Sequence, residues 1–212
     1  QVEALESLDF ELSGSDRQLL AGQIPKVRVA AEQVIYQGIP LTQIAIMGEA
    51  IAINLKQILR GKPLQLLEPI TVQAAIRASE TDLNTAFKAP LLATALKTWL
   101  NTGLQLVGRN FQLTETPRLH LGIQATALTI TVEMQQDDGH WQTFAMQAQP
   151  VLVSPHTFIV QEPKWLQPPP WENLSLDSLA GLELDLGTDV ALESFVTEAG
   201  WLEAKGQLKV RP

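Results

Sequence analysis

The sequence predicts an α+β protein in which a highly curved antiparallel sheet wraps one central helical segment. Three observations lead there. Apolar and polar residues alternate over most of the chain, glycine-containing turns punctuate the alternation, and one stretch, ASETDLNTAFKAPLLATALKTWL at residues 78–100, repeats instead at helical spacing.

The first strand signal is Leu8, Phe10 and Leu12 alternating with Asp9 and Glu11, which gives one wet and one dry face. Val27, Val29 and Ala31 follow a turn at 22–25. Ile44 and Ile46 follow Gly38, and Gly48 is expected to turn the chain into a further strand through Ile51, Ile53 and Leu55. Ile70, Val72, Ala74 and Ile76 face away from Thr71, Gln73 and Arg77. These segments read as one meander.

In the second half, Leu119, Leu121 and Ile123 take one phase while Leu128, Ile130 and Val132 take the other, so a bulge is expected at 125–127. Asp137, Asp138 and Gly139 carry hairpin chemistry that leads into a partner strand through Trp141, Phe144, Met146 and Ala148. Pro155 interrupts a strand expected at 151–160, which implies an edge or a bulge. Alternation resumes at Leu182, Leu184 and Leu186, continues at Val190 and Leu192, and a turn at 198–200 opens a closing hairpin.

The helical stretch begins with a capping box, Ser79 followed three residues later by Asp82. Leu83, Phe87, Leu91, Leu92, Ala95, Leu96, Trp99 and Leu100 then form a wide apolar stripe, Pro90 is expected to kink it, and Gly103 to end it. Such a stripe needs more cover than a flat sheet provides, whereas long bulged strands can curl around it. The helix is therefore expected to plug a rolled sheet.

A chain of 212 residues can bury a substantial core, and a single domain is expected over 1–212, with a stiff Pro-rich connector at 167–175. With 15 Lys and Arg against 23 Asp and Glu the formal charge is −8, and no basic run is present that could follow a phosphate backbone. Nucleic acid is thereby disfavoured as a partner. Electrostatic adhesion to anionic lipid is disfavoured by the same count, so any membrane contact is expected to be apolar. Cysteine is absent, which removes disulfides and thiolate chemistry. The chain starts at Gln1 and not Met, so a leading segment is expected to have been removed, and the compartment stays open.

Catalytic constellations are missing from the sequence. His120, His140 and His156 share no metal-ligand spacing, Glu183, Asp185 and Asp189 read as the wet half of a strand and its turn, and no serine lies in a GxSxG elbow. Neither LRGKP at 59–63 nor DLGTD at 185–189 has a phosphate-cradling context, and both read as turns. No enzyme, no cofactor and no metal is expected.

The order GxIxxVxVxAxxVxYxGIxL at 22–41, the LxGKPLxL run ending in EPITV, then TDLNxAF with APLL, and LDLGTDV before a short hairpin resembles the bacterial LmeA-like phospholipid-binding family, over roughly residues 8–210. The sequence is also similar to the tubular lipid-binding superfamily. Its most diagnostic pieces are Thr81, Asp82, Leu83 and Asn84 with Pro90, and Leu186, Gly187, Thr188, Asp189 and Val190. The resemblance implies a helix wrapped by a curved sheet, with an apolar cavity that accepts acyl chains.

On that basis Leu83, Phe87, Leu91, Leu92, Leu96 and Trp99 are expected to face a lipid together with Ile44, Ile46, Ile130 and Val132. The alternative is that these side chains fill one another and leave no room. Trp165, Leu166 and Trp171 flank the proline run and are expected to touch a bilayer, with a folded-back lid as the alternative. The expected role is a phospholipid carrier or sensor peripheral to a bacterial membrane, cytoplasmic or periplasmic. The rival is a structural or assembly factor whose apolar groove holds a partner protein.

Overall fold

The computed structural model describes residues 2–4, 6–36, 38–87, 89, 94, 98, 118–135, 140–168 and 176–212. In chain order its elements are β1 (Val2–Ala4), β2 (Ser7–Ser13), α1 (Asp16–Leu20), β3 (Gln23–Tyr36), β4 (Ile39–Ala52), α2 (Leu55–Ile58), β5 (Ile70–Ser79) and α3 (Glu80–Ala86). They continue with β6 (Arg118–Ile123), β7 (Leu128–Gln135), β8 (Trp141–Ser154), β9 (Thr157–Gln167), a 3₁₀ turn (Asp177–Leu179), β10 (Glu183–Asp185), β11 (Val190–Glu198) and β12 (Trp201–Val210).

The strands form two antiparallel sheets. The first runs β2-β3-β4-β5-β12-β11, with β1 pairing the far end of β3, and the second runs β10-β9-β8-β7-β6. The meander expected from alternation is the β2 to β5 part of the first sheet. The closing hairpin does not extend that meander in sequence: β12 inserts between β5 and β11, pairing Trp201 with Ser79 through to Val210 with Ile70.

One of the sheets is strongly curled, as half a barrel. β3 and β4 span 14 residues each, about 45 Å if straight, and a twisted ribbon of that length coils. Gln33 and Ala50 each take a left-handed φ (50° and 52°) where the β3–β4 ladder misses one pair without any shift of register.

Four expectations are corrected by the pairing. Gly48 does not turn the chain: it lies inside β4, opposite Val27 and Val72. The strand ends at Ala52, and Leu55 begins α2, because Asn54 breaks the ladder by hydrogen-bonding Pro63 and Gln65 across the next loop. The phase change at 125–127 is a hairpin loop, since Ile123 pairs with Leu128 and Gln124 N–H donates to Ala127 O (2.9 Å). Pro155 stands in a tight turn with His156 between β8 and β9 and does not interrupt a strand, Ser154 facing Thr157.

At α3 the capping box is present. Asp82 N–H donates to Ser79 Oγ (3.0 Å), and Ser79 N–H donates back to Asp82 Oδ2 (3.3 Å), a carboxylate that also accepts from the Thr42 hydroxyl. The described helix ends at Ala86. Thr94 and Thr98 are helical and exposed, with Thr98 Oγ1 donating to Thr94 O (3.0 Å), as the polar side of the predicted stripe requires. Pro90, Leu91, Leu92, Leu96, Trp99 and Gly103 lie outside the described residues, so the plugging helix does too.

α3 packs against β4, β5 and β6, and so sits where the two sheets meet. β6 is an edge strand, and its outward backbone groups find partners on the helix. Asn84 accepts from Leu121 N–H (2.7 Å) and donates to Leu121 O (2.8 Å), and Glu80 Oε2 accepts from Ile123 N–H (2.8 Å). The β11–β12 turn adds Gly200 N–H to Ile123 O (3.0 Å), and Phe158 meets Phe195 edge-on at 4.7 Å between the sheets.

The DLGTD segment closes the opposite end. Gly187 takes φ 83°, open to glycine and strained for other residues, and donates its N–H to Asp185 Oδ1 (2.8 Å). Asp189 then accepts from Arg211 (2.7 Å), and its carbonyl accepts from Lys209 N–H (2.7 Å). The Arg211 hydrogen bond holds the Asp189 carboxyl below its ordinary value and raises Arg211 in turn. A depressed carboxyl stabilises the fold above the unfolded-state value near pH 4 and stops doing so as pH falls through the lower folded value. Asp189→Asn is thus expected to change the melting temperature little at pH 7, the pair being exposed, and to flatten the acid limb of a melting-temperature profile below about pH 4.

Candidate lipid-binding face

In an antiparallel ladder, directly opposed residues share a face, so the register sorts the first sheet into two. One row runs Leu12, Val27, Gly48, Val72 and Leu208. The next runs Phe10, Val29, Ile46, Ala74, Gly206 and Leu192, and a third runs Leu8, Ala31, Ile44, Ile76, Ala204 and Phe195. This face is apolar across six strands.

Its cover is uneven. Val72 and Ala31 are buried and Ile44 and Ile46 half-buried, whereas Leu8 and Phe10 on β2 keep 55% and 57% of their surface exposed. Ile44 and Ile46 therefore occupy the middle of an apolar surface whose β2 margin is open. Phe10 is the residue that sequence reasoning passed over as a site. Its alternation with Asp9 and Glu11 was visible, but only the pairing with Val29 brings it into line with Ile46.

The second sheet carries a comparable face. Leu119, Val132 and Phe144 form one row, and Leu121, Ile130, Met146 and Trp165 the next. Here the cover is complete at the centre: Val132 is fully buried, and Ile130, Trp165 and Leu182 pack with Met146, Leu176 and Leu179. The segment after the Pro-rich connector thus lays its leucines over this sheet.

Leu83 and Phe87 are half-buried on and just after α3. Leu91, Leu92, Leu96, Trp99 and Trp171 fall outside the described residues. Trp165 turns inward and meets Phe144 edge-on, ring centroids 6.0 Å apart at 82°, while its neighbour Leu166 is 52% exposed.

The opposite face of the first sheet is polar. A groove of about 520 Å³ crosses it, floored by Ala30, Ala45 and Ala75 and rimmed by Glu32, Arg77, Glu203 and Lys205. The charges are matched. Lys205 pairs with Glu203, whose carboxyl is held low first by that hydrogen bond, and the Arg77 guanidinium lies 4.6 Å from the centre of the Trp201 ring. Among the described residues no group of His, Asp and Glu is arranged to hold a metal, and no helix is long and apolar enough to cross a membrane.

A family model described as LmeA-like phospholipid-binding matches residues 1–207 of the 212. No curated protein and no solved structure matches the chain.

Proposed function

The chain belongs to the LmeA-like phospholipid-binding family, and from that premise we propose that it takes up phospholipid by its acyl chains on the apolar face of the first sheet, as a non-catalytic carrier or sensor at a membrane surface. The observation that carries this reading is the row Phe10, Val29, Ile46 and Ala74, apolar across four strands and open at β2.

The energetics suit exchange better than capture. An acyl chain of about fifteen methylenes gains about 12 kcal/mol on leaving water. In a bilayer those methylenes are already dry, so a protein of equal apolarity receives and returns a lipid at little net cost. Chemistry on the lipid is not part of the proposal.

Purification without detergent, followed by native mass spectrometry and lipid extraction, tests the reading. One phospholipid per chain, chemically intact, is the expected result. Ile46→Asp, which sets a charge amid this face, is expected to lower the recovered lipid at least tenfold while circular dichroism stays unchanged. A preparation that is lipid-free and also refuses added phospholipid overturns the proposal, and an apolar face found covered by a second protein favours the assembly-factor alternative.

A further inference from the structure

At the end of the first sheet where β3 begins and β4 ends, the chain makes a compact loop over residues 54–67 that includes α2. Asn54, itself buried, draws the loop shut: its Nδ2 donates to Pro63 O (3.0 Å), its Oδ1 accepts from Gln65 N–H (2.8 Å), and its N–H donates to Gln65 O (3.2 Å). Lys62 N–H donates across the interior to Gln57 O (3.0 Å), and Ile53 pairs with Leu66. The loop is built, and its backbone groups have partners.

Yet its side chains face the wrong way for a soluble tip. Leu59, Leu64 and Leu67 are 78%, 64% and 57% exposed, and Leu20, at the end of α1, is 76% exposed. α1 adjoins the loop, since the turn that follows it receives Ile53 N–H at Gly22 O (2.9 Å). Scattered exposed leucines need no explanation, but a group of them on one ordered tip does.

The charge there also departs from the rest of the molecule. In a chain of net −8, residues 54–67 hold Lys56, Arg60 and Lys62 and no acid. All three are exposed, and among the described residues none forms an ion pair. Leucines flanked by free cations match one surface chemically: a bilayer carrying anionic headgroups, with apolar chains beneath and negative charge above.

We propose that the 54–67 loop, with Leu20 beside it, is the docking tip by which this protein enters the surface of an anionic phospholipid bilayer. The apolar rows begin close by, at Leu12, Val27 and Val72, the last two opposite Gly48 and so four residues along β4 from Ala52. The proposal rests on the lipid-binding reading for its purpose, but its contacts stand apart from that face. It also runs against the expectation that electrostatic adhesion to anionic lipid is disfavoured: the cations are few, but Lys56, Arg60 and Lys62 fall within one loop.

Co-sedimentation with vesicles of phosphatidylglycerol and phosphatidylcholine, against vesicles of phosphatidylcholine alone, reads docking independently of lipid content. Wild type is expected to bind the anionic vesicles more tightly and to weaken as salt rises. Leu59→Ser with Leu64→Ser is expected to reduce partitioning at least tenfold. Arg60→Gln with Lys62→Gln is expected to reduce it roughly 30-fold, at about a fivefold loss for each cation. Both pairs are exposed, and the lipid recovered from the variants by extraction is expected to match wild type. Wild-type failure to bind anionic vesicles, full binding by both variants, or loss of binding through Leu166→Ser instead overturns the proposal. So does a dimer in analytical ultracentrifugation that Leu59→Ser with Leu64→Ser dissolves, because the tip would then meet a second copy of the chain.

Discussion

Asn84→Ala is expected to lower the free energy of unfolding by about 3 kcal/mol and the melting temperature by about 5–10 °C. The substitution removes both partners of Leu121 at once. The Leu121 side chain is buried, its backbone lies on the outer edge of β6, and Asn84 supplies both the acceptor for its N–H and the donor for its carbonyl. Left without them, each group costs about 1–3 kcal/mol where water does not reach it, and less where it does.

The loss also frees α3 from β6. Asn84 Nδ2 donates to Glu80 O as well (2.8 Å), which fixes the side chain along the helix that carries it. Asn84→Asp keeps an acceptor for Leu121 N–H and loses the donors, so it should cost roughly half as much in urea unfolding. A loss for Asn84→Ala within about 0.5 kcal/mol would show that the helix is seated by apolar contact alone. Because α3 packs against β4 and β5, which carry Ile46 and Ala74, lipid recovery should fall with stability in this variant.

Gly206→Ala is the second large effect, at about 3 kcal/mol or more. β11 shifts register between Leu192 and Ser194, and this bulge brings its backbone close over β12. A Cβ on residue 206 would collide with the carbonyl oxygen of Ala191 and stand 2.7 Å from Leu192 Cα, both backbone atoms that no rotamer change can move. β11 would have to lift from β12. Gly206 lies in the row of Phe10, Val29 and Ile46, so the expected readouts are a lower urea midpoint and a loosened apolar face together. An unchanged midpoint would mean that β11 relaxes freely, in conflict with its pairing at every position from Ser194 to Glu198.

Much of the fold was legible because side-chain period is local. Leu8, Phe10 and Leu12 announce a strand and its dry side by themselves, and Ser79 with Asp82 announces a helix start, since every interaction involved spans three residues or fewer. The same locality explains the misreadings. Gly48 and Pro155 have turn chemistry in isolation, but a glycine inside β4 is favoured where Val27, Ile51 and Val72 crowd its face, and a proline between two strands looks from its own residues like a break in one.

The family motifs were legible as patterns but not as reasons. In TDLN, Asn84 serves an edge strand 37 residues away, and in LGTD, Asp189 meets Arg211 from the end of the last strand. The candidate lipid face itself is assembled mostly from plain alternation. The docking tip was hidden for another reason. LRGKP reads as a polar turn, and leucine spacing cannot disclose that Asn54 ties the loop shut with its leucines outward.

The sequence by itself determined the dry sides of β2, β3, β5 and β7, an antiparallel meander in the first half, the helix start at Ser79 and membership of a lipid-binding family. Only the tertiary structure decided that β12 parts β5 from β11, that the second sheet is capped by Leu176 and Leu179 while the first stays open at Phe10, and that cations and leucines share a tip. Periodicity is written within a few residues, but cover comes from distant chain. An apolar face states that it must be covered and is silent on by what, and for Phe10, Val29 and Ile46 the cover we propose is an acyl chain.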